Sequence, residues 1–353
     1  MMKLLEVKNL KVFFFVDSNK IDDKNITYKR NNIKKLKNKI PIKAVEDVSF
    51  DINSGEILGI AGESGSGKSV ISHSIINLIP SPPGKIMCGE ILFKGVDILK
   101  LTSEEIRNIR GKEIGIIFQD PMVSLNPVLK IKSQINEAIM LDKNLTKTEI
   151  EYIAAEKLNE AGITDFETVL NSYPHQLSGG LRQRVMIAIA LSRNPSLLIA
   201  DEPTTALDVT IQKQILDLLI NVKENRKCFS ILLITHNLGI IKKICDRVLI
   251  MYGGKIQESA GVEELFGNSM HPYTIGLINC FPNPNIMSAN RIMEIPGNVP
   301  DAIDYPKGCK FHPRCNRVMD LCKNTEPELL EIKINHFVRC HLFNKDSGTD
   351  KHK

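Results

Sequence analysis

The stretch GESGSGKS at residues 62–69 constrains the fold of this chain more than any other, because the apolar run ILGIA at 57–61 leads straight into it. The octet fits G-x-x-x-x-G-K-[ST], a loop that joins a buried strand to a helix and wraps backbone N–H groups around phosphate oxygens. Gly62, Gly65 and Gly67 permit the tight wrap, and Ser64 and Ser66 fill the positions between them. Lys68 offers a point charge to the β- and γ-phosphates, and the Ser69 hydroxyl suits Mg²⁺. A strand–loop–helix unit of this type calls for an α/β fold with a parallel sheet at its centre.

Three more short apolar runs end in polar chemistry. IGIIF at 114–118 leads into Gln119, LLIA at 197–200 into Asp201 and Glu202, and ILLIT at 231–235 into His236. Runs that are apolar on both faces suit buried parallel strands separated by helices. Ligands of open parallel sheets gather at the carboxyl ends of the strands, so these four loops are expected to converge on one site. Asp201 is the expected acidic partner of Mg²⁺, Glu202 the group that orients or deprotonates an attacking water, and Gln119 a bridge between metal and water. His236 would sense the γ-phosphate through a hydrogen bond. A second anion-friendly stretch, LSGGLRQR at 177–184, lies more than a hundred residues beyond the first loop.

At 353 residues, with 42% hydrophobic and 25% charged residues, the chain can build one large domain and a smaller one. The net charge of +5 is mild, and much of it lies in the basic insertion NKIDDKNITYKRNNIKKLKNK at 19–39. That composition reads as a solvated insertion or as a basic patch near anionic lipid or nucleic acid. No apolar run approaches the roughly 18 residues needed to span a bilayer, and the lysine-threaded N-terminus makes a poor signal peptide and reads better as a strand. A place in the cytosol, or on the cytosolic face of a membrane through partners, is therefore expected. Eight cysteines in such a chain argue against disulfides. Cys88, Cys228, Cys245 and Cys280 are scattered and read as ordinary core or surface residues.

In order along the chain, the phosphate loop, Gln119, LSGGLRQR, LLIADE, TALD at 205–208 and His236 together resemble the ATP-binding subunit of an ABC transporter, over about residues 1–262. The resemblance implies an ABC-type P-loop ATPase: a parallel-sheet core, an antiparallel β subdomain and a helical subdomain at about 120–180, with the basic insertion at about 17–41. Two such subunits pack head to tail, so Ser178, Gly179 and Gly180 would contact the ATP of a partner subunit, aided by the dipole of the helix that follows. Asp208 would communicate across the same interface. An aromatic residue of the N-terminal strand stacks on adenine in this family; spacing favours Phe14, with Phe13 and Phe15 as alternatives. Leu181 stands where many members have glutamine and Asn237 where aspartate is common, and neither removes a catalytic group.

Two longer stretches, FQDPMVSLNPVLKIKSQINEAI and YPHQLSGGLRQRVMIAIALSRNPSLLIADEPTTALDVTIQKQIL, resemble the ATPases of oligopeptide and dipeptide importers. The implied function is ATP hydrolysis driving peptide import. The implied partners are a second, homologous ATPase, two membrane-spanning permease subunits and an extracytoplasmic peptide-binding protein, with no nucleic acid. The implied location is the cytoplasmic face of the inner membrane. Related ATPases serve nickel chelates, glutathione or short sugars, and a soluble ABC ATPase is a further alternative, though this chain carries one phosphate loop and no sustained heptads.

Beyond about residue 262 the character changes. Pro272, Pro282, Pro284, Pro296, Pro300 and Pro306 interrupt any long helix. HPYTIGLI at 271–278 and IPGNVP at 295–300 resemble the C-terminal extension of peptide-importer ATPases, with no chemical role assigned. Residues 263–353 are thus expected to form a small Cys-rich C-terminal domain. Cys309, Cys315, Cys322 and Cys340 follow the spacing C-x5-C-x6-C-x17-C. Four thiols this close suggest a soft-metal site, and the C-x2-C pairs usual for zinc are absent. The quartet resembles the one that holds a [4Fe–4S] cluster in the peptide-importer family; zinc, or reduced cysteines packing a small domain, are the other readings. His312, His336 and His341 lie near enough in sequence to substitute as ligands.

Overall fold

The computed structural model describes residues 2–17, 39–141, 145–205, 207–280 and 294–344. Nearly all of the basic insertion, together with Pro282 and Pro284, falls outside the described residues. The strands are β1 (Lys3–Asp17), β2 (Lys39–Asn53), β3 (Ile57–Ala61), β4 (Gly84–Phe93), β5 (Val96–Asp97), β6 (Ile114–Ile117), β7 (Leu197–Asp201), β8 (Ser230–Ile234), β9 (Arg247–Tyr252), β10 (Lys255–Gly261), β11 (Leu330–Lys333) and β12 (His336–Val338). Two compact units interleave along the chain: spans 1–5, 51–58 and 93–235 form the first, and spans 6–50, 59–92 and 236–353 the second.

The first unit holds β6, β7 and β8 as a parallel sheet, with Ile114 opposite Leu197 and Leu197 opposite Ser230. Every residue of β7 and β8 is buried, as continuous apolar runs in a parallel sheet require. The four helices 131–140, 147–160, 166–171 and 179–191 pack together in the same unit. Ile131, Ile135 and Ile139 form the buried stripe of the first of these. Thr146 and Glu149 close a capping box on the second, each satisfying a backbone N–H that the helix start would leave unpaired.

In the second unit β2, β1 and β4 are neighbours in one sheet. Phe15 N–H bonds Pro83 O, while at the other end of β1 Leu4 O accepts from Lys94 N–H, so β1 and β4 run antiparallel. A second group of strands follows the order β11-β12-β10-β9. Its pairings are all antiparallel, with Glu258 of β10 opposite both Ile250 of β9 and Val338 of β12. The tail beyond residue 262 therefore adds two strands to the edge of β10. Tyr252, Tyr273 and Phe311 pack edge to face or tilted against one another, with ring centroids 4.8–5.3 Å apart. Among the described residues no helix is long and apolar enough to cross a membrane.

Candidate active site

The phosphate loop leaves β3 and enters the helix Lys68–Ile75. Gly67 sits at φ 97°, and a Cβ there would run into Ala44 O, so both the backbone conformation and the space demand glycine. Lys68 is 5% exposed. Its Nζ donates to Gly62 O and Glu63 O, both at 2.9 Å, which places the ammonium inside the curl of the loop. No side chain caps the helix start, so its N–H groups point into the same curl. His236, also in the second unit, is exposed two residues after the end of β8. Asn237 uses its side chain to accept from Gly239 N–H and start the next helix.

The first unit brings Gln119 and Glu202 together, with Gln119 Nε2 donating to Glu202 Oε2 at 3.0 Å. Thr205 Oγ1 donates to the same oxygen at 2.8 Å. Glu202 holds φ 48°, a left-handed conformation that costs a non-glycine residue about 1–2 kcal/mol and is concentrated at functional sites. Its N–H bonds Ile234 O, which fixes the strained residue at the end of β7. Asp201 is 1% exposed as the last residue of that strand. A buried carboxylate beside a strained one is a costly arrangement for packing alone, and one suited to handling a cation and a water.

Ser178 caps the helix Gly179–Leu191 by accepting from Leu181 N–H at 3.3 Å. Ser178 and Gly179 are exposed. A Cβ on Gly180 would lie 3.0 Å from Ile211, so the glycine lets two helices of the first unit approach. Asp208 caps the helix Val209–Glu224 through Ile211 N–H at 2.9 Å. Phe14 is half-buried, with its ring edge 2.9 Å from where a Cβ on Gly84 would stand, while Lys43 lies over the Phe13 ring at 6.0 Å.

Cys309, Cys322 and Cys340 are buried and Cys315 is half-buried. Burial pushes the Cys309 thiol up to about 11 and Cys340 up to about 12, and the neighbouring thiols of the quartet push the same way. Backbone N–H groups two residues on, from Phe311, Arg317 and Leu342, point at the sulfurs of Cys309, Cys315 and Cys340. Yet among the described residues no group of three or more His, Cys, Asp or Glu side chains is assembled to hold a metal ion. The metal expectation thus gains no support from the geometry. The three histidines have other partners: His312 meets Cys309 O, His341 meets Thr325 O, and His336 meets Glu258 and Glu264.

Three residues escaped the sequence reasoning. Glu63, inside the phosphate loop, takes a two-pronged grip from Arg314 and donates its N–H to Tyr273 Oη. HPYTIGLI contains Tyr273 and the Cys309–Cys315 segment contains Arg314, but neither motif says where it docks.

The ABC transporter family model matches residues 45–205, and that of the oligopeptide/dipeptide transporter C-terminal region matches 257–322. Among solved structures, an ATP-binding cassette in a dimeric post-hydrolysis state with ADP and phosphate matches with a TM-score of 0.59 and 26% identity, over 73% of this chain and 98% of that one. A cassette from the cbiONQ ABC transporter complex of Clostridium perfringens gives 0.58 and 25%, over 76% and 92%. Fold and loop together make this chain an ATP-binding cassette of the ABC transporter class. The oligopeptide transport ATP-binding protein AppD of Bacillus subtilis is 45% identical over 99% of both chains. The dipeptide transport ATP-binding protein DppD of Lactococcus lactis is 43% identical over 96% of this chain and 91% of its own. The chain belongs to the family of oligopeptide/dipeptide transport ATP-binding proteins.

Proposed function

We propose that this chain hydrolyses ATP to power import of di- and oligopeptides, bound to permease subunits at the cytoplasmic face of the membrane. The observation that carries the reading is the Lys68 ammonium held in the curl of a glycine-dependent phosphate loop, in a chain whose relatives match it from end to end. Residues 1–262 form the ATPase portion and 263–353 the importer-type extension. Residues 62–69 bind the phosphates, with Ser69, Gln119 and Asp201 as the Mg²⁺ ligands. Glu202 activates the attacking water, His236 contacts the γ-phosphate and Phe14 stacks on adenine. Ser178, Gly179, Gly180 and Asp208 serve the ATP of a second, homologous ATPase. Met122, Val123, Val128 and Leu129 are exposed just beyond Gln119. An apolar surface of that kind suits a short helix of a permease subunit, which would couple hydrolysis to transport. An extracytoplasmic binding protein would deliver the peptide.

Replacing Glu202 tests the assignment. Glu202→Gln keeps the size of the side chain and should bind ATP as the native chain does while hydrolysis stops; continued turnover in a phosphate-release assay would remove Glu202 as the base.

For the cysteine quartet the proposed occupant is a [4Fe–4S] cluster, with zinc as the alternative. Its support is donor chemistry: four thiols, three of which receive backbone N–H groups. The cluster would supply a staple to a small module rather than a step in hydrolysis. Anaerobic purification should yield a brown protein containing iron and sulfide. A colourless protein with zinc favours the alternative, and one with neither metal ends the proposal.

A further inference from the structure

The extension grips the phosphate loop directly at Glu63. Each polar group of Glu63 is held. Its N–H donates to Tyr273 Oη at 3.0 Å. Its carboxylate accepts Arg314 Nη1 at 2.7 Å and Nη2 at 3.0 Å, a fork that fixes both oxygens. Its carbonyl accepts Ser66 N–H at 3.3 Å and Lys68 Nζ at 2.9 Å. The two residues that grip Glu63 are themselves immobilised. Tyr273 is fully buried, on a helix capped by the His271 side chain. Arg314 is 7% exposed, donates through Nε to Pro296 O at 3.0 Å and lies over the Tyr252 ring at 5.8 Å. The hydrogen bonds with Glu63 raise the proton affinity of the Arg314 guanidinium above its ordinary value.

A second route starts four residues earlier. Lys310 donates to Gly253 O at 2.6 Å and to Glu46 at 2.9 Å. The adjacent Gly254 donates its N–H to Ser66 O at 3.1 Å. The segment between Cys309 and Cys315 thus bears on the phosphate loop from two directions.

We propose that Arg314 and Tyr273 are positioning residues of the phosphate loop, and that the extension sets nucleotide affinity by fixing Glu63 and, through its carbonyl, Lys68. Arg314 supplies a rigid planar fork that a lysine cannot reproduce. A loop ordered before the phosphates arrive loses less freedom when they bind, so the effect falls on affinity more than on the chemical step. The inference rests on the reading of residues 62–69 as an ATP site.

The test uses the full chain, with Kd for a fluorescent ATP analogue plus Mg²⁺, and KM and kcat for ATP hydrolysis. Arg314→Ala should raise Kd and KM about tenfold while kcat changes far less. Arg314→Lys should recover part of the loss. Tyr273→Phe, which keeps the ring and removes the acceptor of Glu63 N–H, should shift Kd the same way. Glu63→Gln combined with Arg314→Ala should be no weaker than the worse single variant. Thermal melting identifies variants that fail to fold; if Arg314→Ala is one, Tyr273→Phe and Glu63→Gln decide. Folded variants that bind nucleotide like the native chain, while Lys68→Ala loses binding, overturn the clamp and leave the ATP site standing. A native chain that binds no nucleotide removes the ATP site and the clamp with it.

Discussion

His271 and His336 face the same buried carboxylate, Glu258, and are driven in opposite directions. Burial pushes His271 down to about 4, so it stays neutral and accepts Tyr273 N–H through Nδ1. The hydrogen bond with Glu258 raises His336 and favours its charged form. A lowered histidine contributes stability that is full above its unfolded value, about 6.5, and is lost as pH falls toward 4. A raised one contributes below about 6.5, and that contribution is lost as pH rises through its folded value. Glu46 is half-buried, yet Lys43 and Lys310 bring it down to about 2, so its contribution disappears between about 4.5 and 2. Urea midpoints measured across pH should therefore fall on the acid side in two stages. His336→Gln should remove the alkaline loss and leave the acid one. Lys68, Gln119, Asp201 and Glu202 could be singled out from sequence because each closely follows an apolar run, where a local pattern suffices. Arg314 and Tyr273 were missed because their partner Glu63 lies 251 and 210 residues away.

The elements show the same division between local and distant signals. β6, β7 and β8 were legible because strands buried on both faces are apolar throughout. β11 and β12 were not, because strands of four and three residues carry too little pattern to separate from a proline-rich tail. Caps were partly hidden as well. Asp208 was read as a residue of the subunit interface, and the structure also uses it to cap a 16-residue helix. Asp208→Ala should cost about 1 kcal/mol by loss of the cap. Asp208→Asn retains an acceptor and should keep stability, so a loss of activity in this variant would support the proposed interface role of the charge, and unchanged activity would count against it. At the start of the helix Lys68–Ile75, Gly67→Ala combines a positive φ with a clash at Ala44 O. It should abolish nucleotide binding in the same fluorescence assay, with a smaller fall in melting temperature.

At the scale of the molecule, the second unit joins the phosphate loop to the tail through shared strands, an aromatic cluster and buried charge. Removing everything after Gly261 would uncover the edge of β10 and leave Glu258 without His336. An exposed strand edge favours aggregation, and loss of the packing over β10 favours unfolding. Size-exclusion chromatography of the truncated chain should show aggregates, and nucleotide binding should be lost. The grip on Glu63 also imposes an order in time. The loop is synthesised early, and its Arg314 partner follows 251 residues later. At about 5–20 residues per second, the ribosome needs roughly 13–50 s to supply it. A nascent chain would therefore carry an unbraced phosphate loop until Arg314 has been made and has folded back, and on the proposed reading would gain its full affinity for ATP only then.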